Sequence, residues 1–309
     1  METFIDNCIQ KVIEKRSHLI IGLDPHFDRL PKYLTKDCDS LDEIGNSLFE
    51  FNRNIIDAIY DLVPAVKPQI AFYERFGMEG LKAYQNTIKY AKKKGLLVIG
   101  DVKRNDIGST AKAYSDAHIG SVEVLGKKYS EFNVDAITIN PYFGSDGVSP
   151  FLDDAREYGK GLFVLVKTTN KSSSEFQDVT ICNSNDNLKL FELVASYVNL
   201  WGQSIIGKSG YSSVGAVVGA TFPQEIKSIR KLLPKSYFLV PGIGEQGGKI
   251  EDLINCFNDD GLGALLSVSR SVIFAYLNKK DFNETNFADY ARLEVIRLNN
   301  EINDLINIT

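Results

Sequence analysis

Eight short apolar runs, each followed by a polar or glycine-rich loop and then a segment of helical period, set the tightest limit on how this chain can fold. They are Leu19–Leu23, Ala65–Lys67, Leu96–Val102, Ala136–Ile139, Leu162–Val166, Ala216–Val218, Tyr237–Val240 and Ala264–Val268. Runs this short and this uniformly apolar suit strands buried on both faces. Between them, Glu43–Leu62, Met78–Lys94, Leu188–Trp201, Pro223–Leu232 and Gly248–Phe257 are helix candidates, several with apolar residues at i, i+3 and i+4. Eight alternating βα units with fully buried strands favour an α/β fold in which a parallel sheet closes on itself, a (β/α)8 (TIM) barrel, over an open sheet.

One feature supports the open, doubly wound rival. Gly242-Ile243-Gly244-Glu245-Gln246-Gly247 fits Gly-x-Gly-x-x-Gly between a strand and a helix. It follows Pro241 and would leave most βα units before it, so a seventh βα loop that cradles phosphate on backbone amides is the better reading. Phosphate binding survives either way. The 309 residues suit one barrel domain over 1–309. Within it, the Ser-, Asn- and Thr-rich stretch 170–187 reads as a surface loop or a lid, and 282–308 as a helical extension packed on the barrel's outside.

The net charge of -5, with Lys92–Lys94 as the only dense basic run, argues against a nucleic-acid surface. An anionic small molecule can still bind where positive groups gather locally. Cys8, Cys38, Cys182 and Cys256 show no Cys-x-x-Cys spacing and only three histidines accompany them, so no zinc site is legible and the thiols read as free in a reducing compartment. No stretch approaches the roughly 18 apolar residues of a membrane span, and Met1–Lys15 lacks an apolar core segment. A cytoplasmic protein without membrane or nucleic-acid partners is the expectation.

The strand ends collect polar residues: Asp24, Lys67, then Asp101, Lys103 and Asp106, Asn140, Thr168 and Thr169, Gln246 and Arg270. Side chains at i and i+2 on a strand share a face, so Asp101 and Lys103 are expected to point the same way, with Asp106 on the loop beyond. Taken singly, each has a bland explanation. Asp24 before Pro25 can start a turn, and an Asp-x-Lys pair can be a solvated ion pair worth a fraction of a kcal/mol. In a barrel, however, all of them ring the mouth where such folds keep their chemistry.

These motifs resemble the orotidine 5'-phosphate decarboxylase family over nearly the whole chain. The resemblance rests on Gly22-Leu23-Asp24-Pro25, Lys67-Pro68-Gln69, Asp101 through Thr110, Lys167-Thr168-Thr169-Asn170, Pro241 through Gln246, and Val268-Ser269-Arg270. Asp-x-Lys-x-x-Asp alone marks a broader superfamily, which also holds metal-dependent sugar-phosphate decarboxylases and synthases. The first and last motifs narrow it. The resemblance implies that Lys103 stabilises and protonates a C6 carbanion, that Asp101 lies near the substrate carboxylate, and that Lys67 holds Asp101 and touches the ribose. It implies ribose contacts from Asp24, pyrimidine contacts from Thr168 or Thr169, and phosphate contacts from Gln246 and Arg270. Asp106, Ile107 and Thr110 would reach into a neighbouring subunit's site in a homodimer with shared active sites. No metal and no cofactor is implied.

Lys67, Asp101, Lys103 and Asp106 alternate in sign and sum to zero, so in a dry site each would keep the others ionised. A general acid gives about 10²- to 10⁴-fold, roughly 3 to 5.5 kcal/mol, against the ~23 kcal/mol that enzymes supply for very slow reactions, so fixed charge must carry more. Two other readings are a catalytically silent phosphate-binding barrel and a Schiff-base aldolase using Lys103 or Lys167.

Overall fold

The computed structural model describes residues 2–182, 187–242, 250–279 and 283–306. Eight strands close into a parallel barrel: β1 Leu19–Leu23, β2 Ala65–Pro68, β3 Leu97–Arg104, β4 Ala136–Ile139, β5 Gly161–Lys167, β6 Ser212–Val218, β7 Ser236–Pro241 and β8 Ala264–Val268. Around the barrel they run β1-β8-β7-β6-β5-β4-β3-β2. The eight apolar runs are thus the eight strands. β1, β2, β4 and β8 are buried at every position, as strands covered on both faces require.

By packing, the described residues form two compact units, 11–102 with 267–309 and 1–10 with 103–266. In the first, β1 pairs with β2 so that Gly22 stands opposite Lys67. Helices Leu41–Ile59 and Gly77–Lys93 flank these strands, the former opening on a capping box in which Ser40 and Glu43 satisfy each other's backbone amides. That cap explains why the helix starts two residues before the apolar period shows. Phe51 stacks on Phe287 at 5.1 Å and on Phe274 at 5.7 Å, and so seats the C-terminal helix Phe287–Ile306. Lys92 and Lys93 end their helix, whereas Lys94 reaches Asp57 at 2.6 Å.

In the second unit, β5 pairs with β4 and β6, placing Lys167 opposite Val218. Arg230 is a structural cation here: its guanidinium donates to the carbonyls of Leu233, Ser236, Cys256 and Gly263. Two elements depart from the sequence reading. Val122–Val124 and Lys127–Tyr129 form a hairpin whose two turn residues, Leu125 and Gly126, both have positive φ. Leucine rarely accepts that conformation, which hid the turn. Where a helix was expected over Gly248–Phe257, Ile250–Cys256 is a 3-10 helix, with Leu253 and Cys256 both buried at the i, i+3 spacing that a three-residue turn aligns; residues 248 and 249 lie outside the described residues.

The described residues of the stretch 170–187 include regular structure. Lys171–Glu175 makes a 3-10 turn, and Thr180–Cys182 pairs with Asn187–Lys189 as a hairpin, which delays the next helix to Leu190–Gly202. Among the described residues, no helix is long and apolar enough to cross a membrane.

Candidate active site

At the ends of β2 and β3, Lys67 Nζ donates to Asp101 Oδ2 at 2.8 Å, and each residue is only 7% exposed. Burial works against the charged form of Lys67, but the Asp101 and Asp24 carboxylates outweigh it and hold the ammonium above its ordinary range. The backbone locks the pair. Asp101 bridges to Gln69, and its carbonyl accepts from the Ile70 amide at 3.3 Å. Asp24 Oδ1 is buried with no partner among the described residues, and an unpaired carboxylate oxygen at a strand end is a ready acceptor for a ligand hydroxyl.

Gly22 is required at its position because a Cβ there would lie 2.7 Å from the Cβ of Ser269, whose hydroxyl donates to the Gly22 carbonyl at 3.3 Å. That close approach sets the β8 end beside β1. Arg270 follows on the surface, at the head of the short helix Arg270–Ile273. His26, packed on Phe72 at 4.4 Å, is also close enough to Asp24 and Arg270 to feel both; burial is the main reason its imidazole is held neutral-leaning.

Lys103, two residues beyond Asp101, has φ +47°. A left-handed lysine within a strand is strained, and such strain persists only where surrounding structure imposes it. Its amide donates to Thr138 Oγ1 of β4 at 3.0 Å. The shared-face expectation assumes extended backbone throughout, and at Lys103 the backbone leaves it. Lys67 and Asp101 are buried, Asp106 is half-buried and Lys103 is exposed.

Past β3, Asp106 receives the Ile107 amide on its carboxylate at 2.8 Å, while Asn105 accepts the Asp106 amide and donates to the Asn140 carbonyl. Ile107, 58% exposed, precedes the helix Gly108–His118, on whose first turn Thr110 is exposed.

At the end of β5, Thr168 is half-buried and held by Gln177: its amide donates to Gln177 Oε1 at 3.0 Å, and Gln177 Nε2 donates to its hydroxyl at 2.7 Å. Thr169, also half-buried, lies against bare Gly219, where a Cβ would come within 2.5 Å of the threonine methyl. Lys167 is fully buried and donates to Asp178 at 2.7 Å. The sequence reading missed Gln177 and Asp178 because they lie 9 and 11 residues from their partners, inside a stretch rich in loop residues. A glutamine and an aspartate standing together within an otherwise Ser- and Thr-rich insertion were the available signal. Gln246 and the rest of its glycine-rich loop over 243–249 lie outside the described residues. Among the described residues, no three His, Cys, Asp or Glu side chains gather as a metal-ligand group.

A family model described as "Orotidine 5'-phosphate decarboxylase / HUMPS family" matches residues 17–282. The chain is 46% identical to the orotidine 5'-phosphate decarboxylase of Caldicellulosiruptor bescii, over 93% of this chain and 95% of that one. The solved OMP decarboxylase of Leishmania donovani superposes with a TM-score of 0.75 at 30% identity, covering 99% of both chains. The chain also matches 57% of the length of Leishmania donovani UMP synthase, with a TM-score of 0.76 at 30% identity. With a barrel of this topology, motifs at the ends of six strands, a family model over residues 17–282 and a relative 46% identical over 95% of its length, the chain belongs to the orotidine 5'-phosphate decarboxylase / HUMPS family.

Proposed function

We propose that this protein decarboxylates orotidine 5'-phosphate to uridine 5'-phosphate and CO2. The observation that carries the reading is the buried Lys67–Asp101 ion pair, followed two residues on by a lysine in strained backbone. Asp101 receives the substrate carboxylate's end of the base, where its fixed negative charge favours loss of that carboxylate. The bond from C6 to the carboxylate breaks, its electron pair stays on C6, and CO2 leaves. Lys103 stabilises that carbanion, then gives C6 a proton and regains one from solvent.

In the same reading Lys67 keeps Asp101 ionised and touches the ribose, Asp24 takes ribose hydroxyls on its unpartnered oxygen, and Gln246 and Arg270 hold the phosphate. Asp106, Ile107 and Thr110 complete the site of a second subunit in a homodimer. The chain acts as one barrel domain in the cytoplasm, with 170–187 covering the mouth and 282–308 as an added helix. The chemistry needs no cofactor, since a lysine suffices as acid.

Purified protein is expected to consume orotidine 5'-phosphate, read as loss of orotate absorbance, with a chelator present. Chelator-sensitive turnover of a sugar phosphate instead would overturn the reading. Lys103→Ala should lower turnover by at least about 10³-fold while uridine 5'-phosphate still binds. Mixing inactive Lys103→Ala and Asp106→Ala chains should restore activity if subunits share sites; none in confirmed mixed dimers would refute sharing.

A further inference from the structure

From Lys103 onward the end of β3 is stapled residue by residue to the end of β4. The Lys103 amide donates to Thr138 Oγ1 at 3.0 Å, and the Arg104 carbonyl accepts from the Asn140 amide at 3.3 Å. These bonds bracket the left-handed backbone of Lys103, at φ +47°. Asn105 adds another. Its side chain faces the Asp106 amide, which can only donate, so Oδ1 takes that bond at 2.8 Å and Nδ2 is left for the Asn140 carbonyl, which can only accept. The two ends of the Asn105 amide are therefore not interchangeable.

Asn140 is itself held, because its Oδ1 takes the Tyr142 amide at 3.1 Å and closes a turn just past the strand. Behind the staple stands the helix Gly144–Tyr158, with buried Gly147 in its first turn. A Cβ on Gly147 would lie 2.6 Å from Asn105 Oδ1 and 2.8 Å from the Asp106 carbonyl oxygen, so bare backbone there is what lets the loop seat against the helix. Directional bonds hold Asn105 on one side, and a notch without a side chain receives it on the other. Asp106 then takes the Ile107 amide on its carboxylate at 2.8 Å, which continues the same fixed path.

We propose that Asn105, seated between the Asn140 carbonyl and the Gly147 notch, is a positioning residue that holds Lys103 in its left-handed backbone and sets the direction of Asp106. The proposal rests on the decarboxylase reading and goes beyond it, since neither Asn105 nor Gly147 carries a reacting group. They act on turnover through the backbone of two residues that do. Misplacing a reacting group by about 1 Å can cost about 10²-fold in rate.

Turnover of orotidine 5'-phosphate, calorimetry with uridine 5'-phosphate and thermal melting, measured on the same variants, test it. Asn105→Asp keeps the side chain's size and its acceptor for the Asp106 amide, but sets an oxygen against the Asn140 carbonyl. Its kcat should fall by about 10- to 100-fold, with uridine 5'-phosphate affinity kept within about threefold and melting little changed. Gly147→Ala should lower kcat by a similar factor, and if it does not fold, the uncharged Asn105→Ala takes its place. Joining Asn105→Ala to Gly147→Ala should cost less than the product of the single losses, because it removes the nearest atom the new Cβ would meet. An unchanged kcat in a folded variant, single losses that simply multiply, or affinity lost in step with kcat overturns the positioning role. Wild-type turnover beside unaffected variants removes that role alone, and no wild-type turnover removes the decarboxylase reading with it.

Discussion

Two strand-end lysines of this barrel are buried, and each donates to one aspartate over less than 3 Å, but their partners come from different sources. Lys67 meets Asp101 at 2.8 Å on the neighbouring strand, with Asp24 adding a second negative charge. Lys167 meets Asp178 at 2.7 Å on an insertion, and that aspartate's side chain is 29% exposed against 10% for Asp101. A pair between two strands has its backbone positions fixed by barrel register, so the two residues cannot move apart as a loop and a strand can. A pair between a strand and a loop can open locally.

Removing one partner of the sheet-built pair should have the largest effect. Asp101→Ala leaves the Lys67 ammonium buried with only Asp24 for company, and is expected to cost about 3–5 kcal/mol in urea unfolding and to abolish turnover. A loss no larger than that of Asp178→Asn would remove the energetic distinction between the two pairs.

Asp178→Asn should cost less, about 1–2 kcal/mol, because the insertion can part and let water reach Lys167. The loss should be local. Hydrogen exchange is expected to speed up at the amides of Leu190 and Phe191, which bond to Val179 and Gln177, while the β5 amides stay protected. Uniform loss across β5 would make the insertion part of the core.

The smallest effect separates the pairs by pH. The Lys167 hydrogen bond, opposed by burial, holds the Asp178 carboxyl below its ordinary range. Its contribution to stability is therefore complete above that ordinary range and vanishes as pH falls through the lowered value. Lys67 is raised, so its contribution is complete below the ordinary lysine range and vanishes as pH rises through the raised value. Proteolysis of 170–189 should accelerate first in acid, whereas alkali should loosen the β2–β3 pair first. The reverse order would contradict the assignment of the two ion pairs.

How much was legible varied from residue to residue. Ala136–Ile139 and Ala264–Val268 were read with their observed limits because a strand buried on both faces must be apolar at every position. Lys67 and Asp101 were found as charges at strand ends, which is a local property too. Their pairing was proposed through family resemblance, since the two are 34 residues apart. The hairpin at 122–129 escaped notice because its turn uses leucine where glycine or asparagine is usual. Lys167 stands in the sequence as the first residue of the Lys167-Thr168-Thr169-Asn170 motif and as a Schiff-base candidate, and nothing near it announces Asp178.

The sequence by itself determined where the barrel strands lie, which residues stand at their ends and which family the chain resembles, because burial on both faces and residue type are written position by position. The tertiary structure decided which aspartate each buried lysine meets, that Lys103 sits at φ +47°, and that Gln177 spends the hydrogen bonds of Thr168. These depend on register, backbone direction and distance across the fold, and such quantities exist only once the chain has closed on itself.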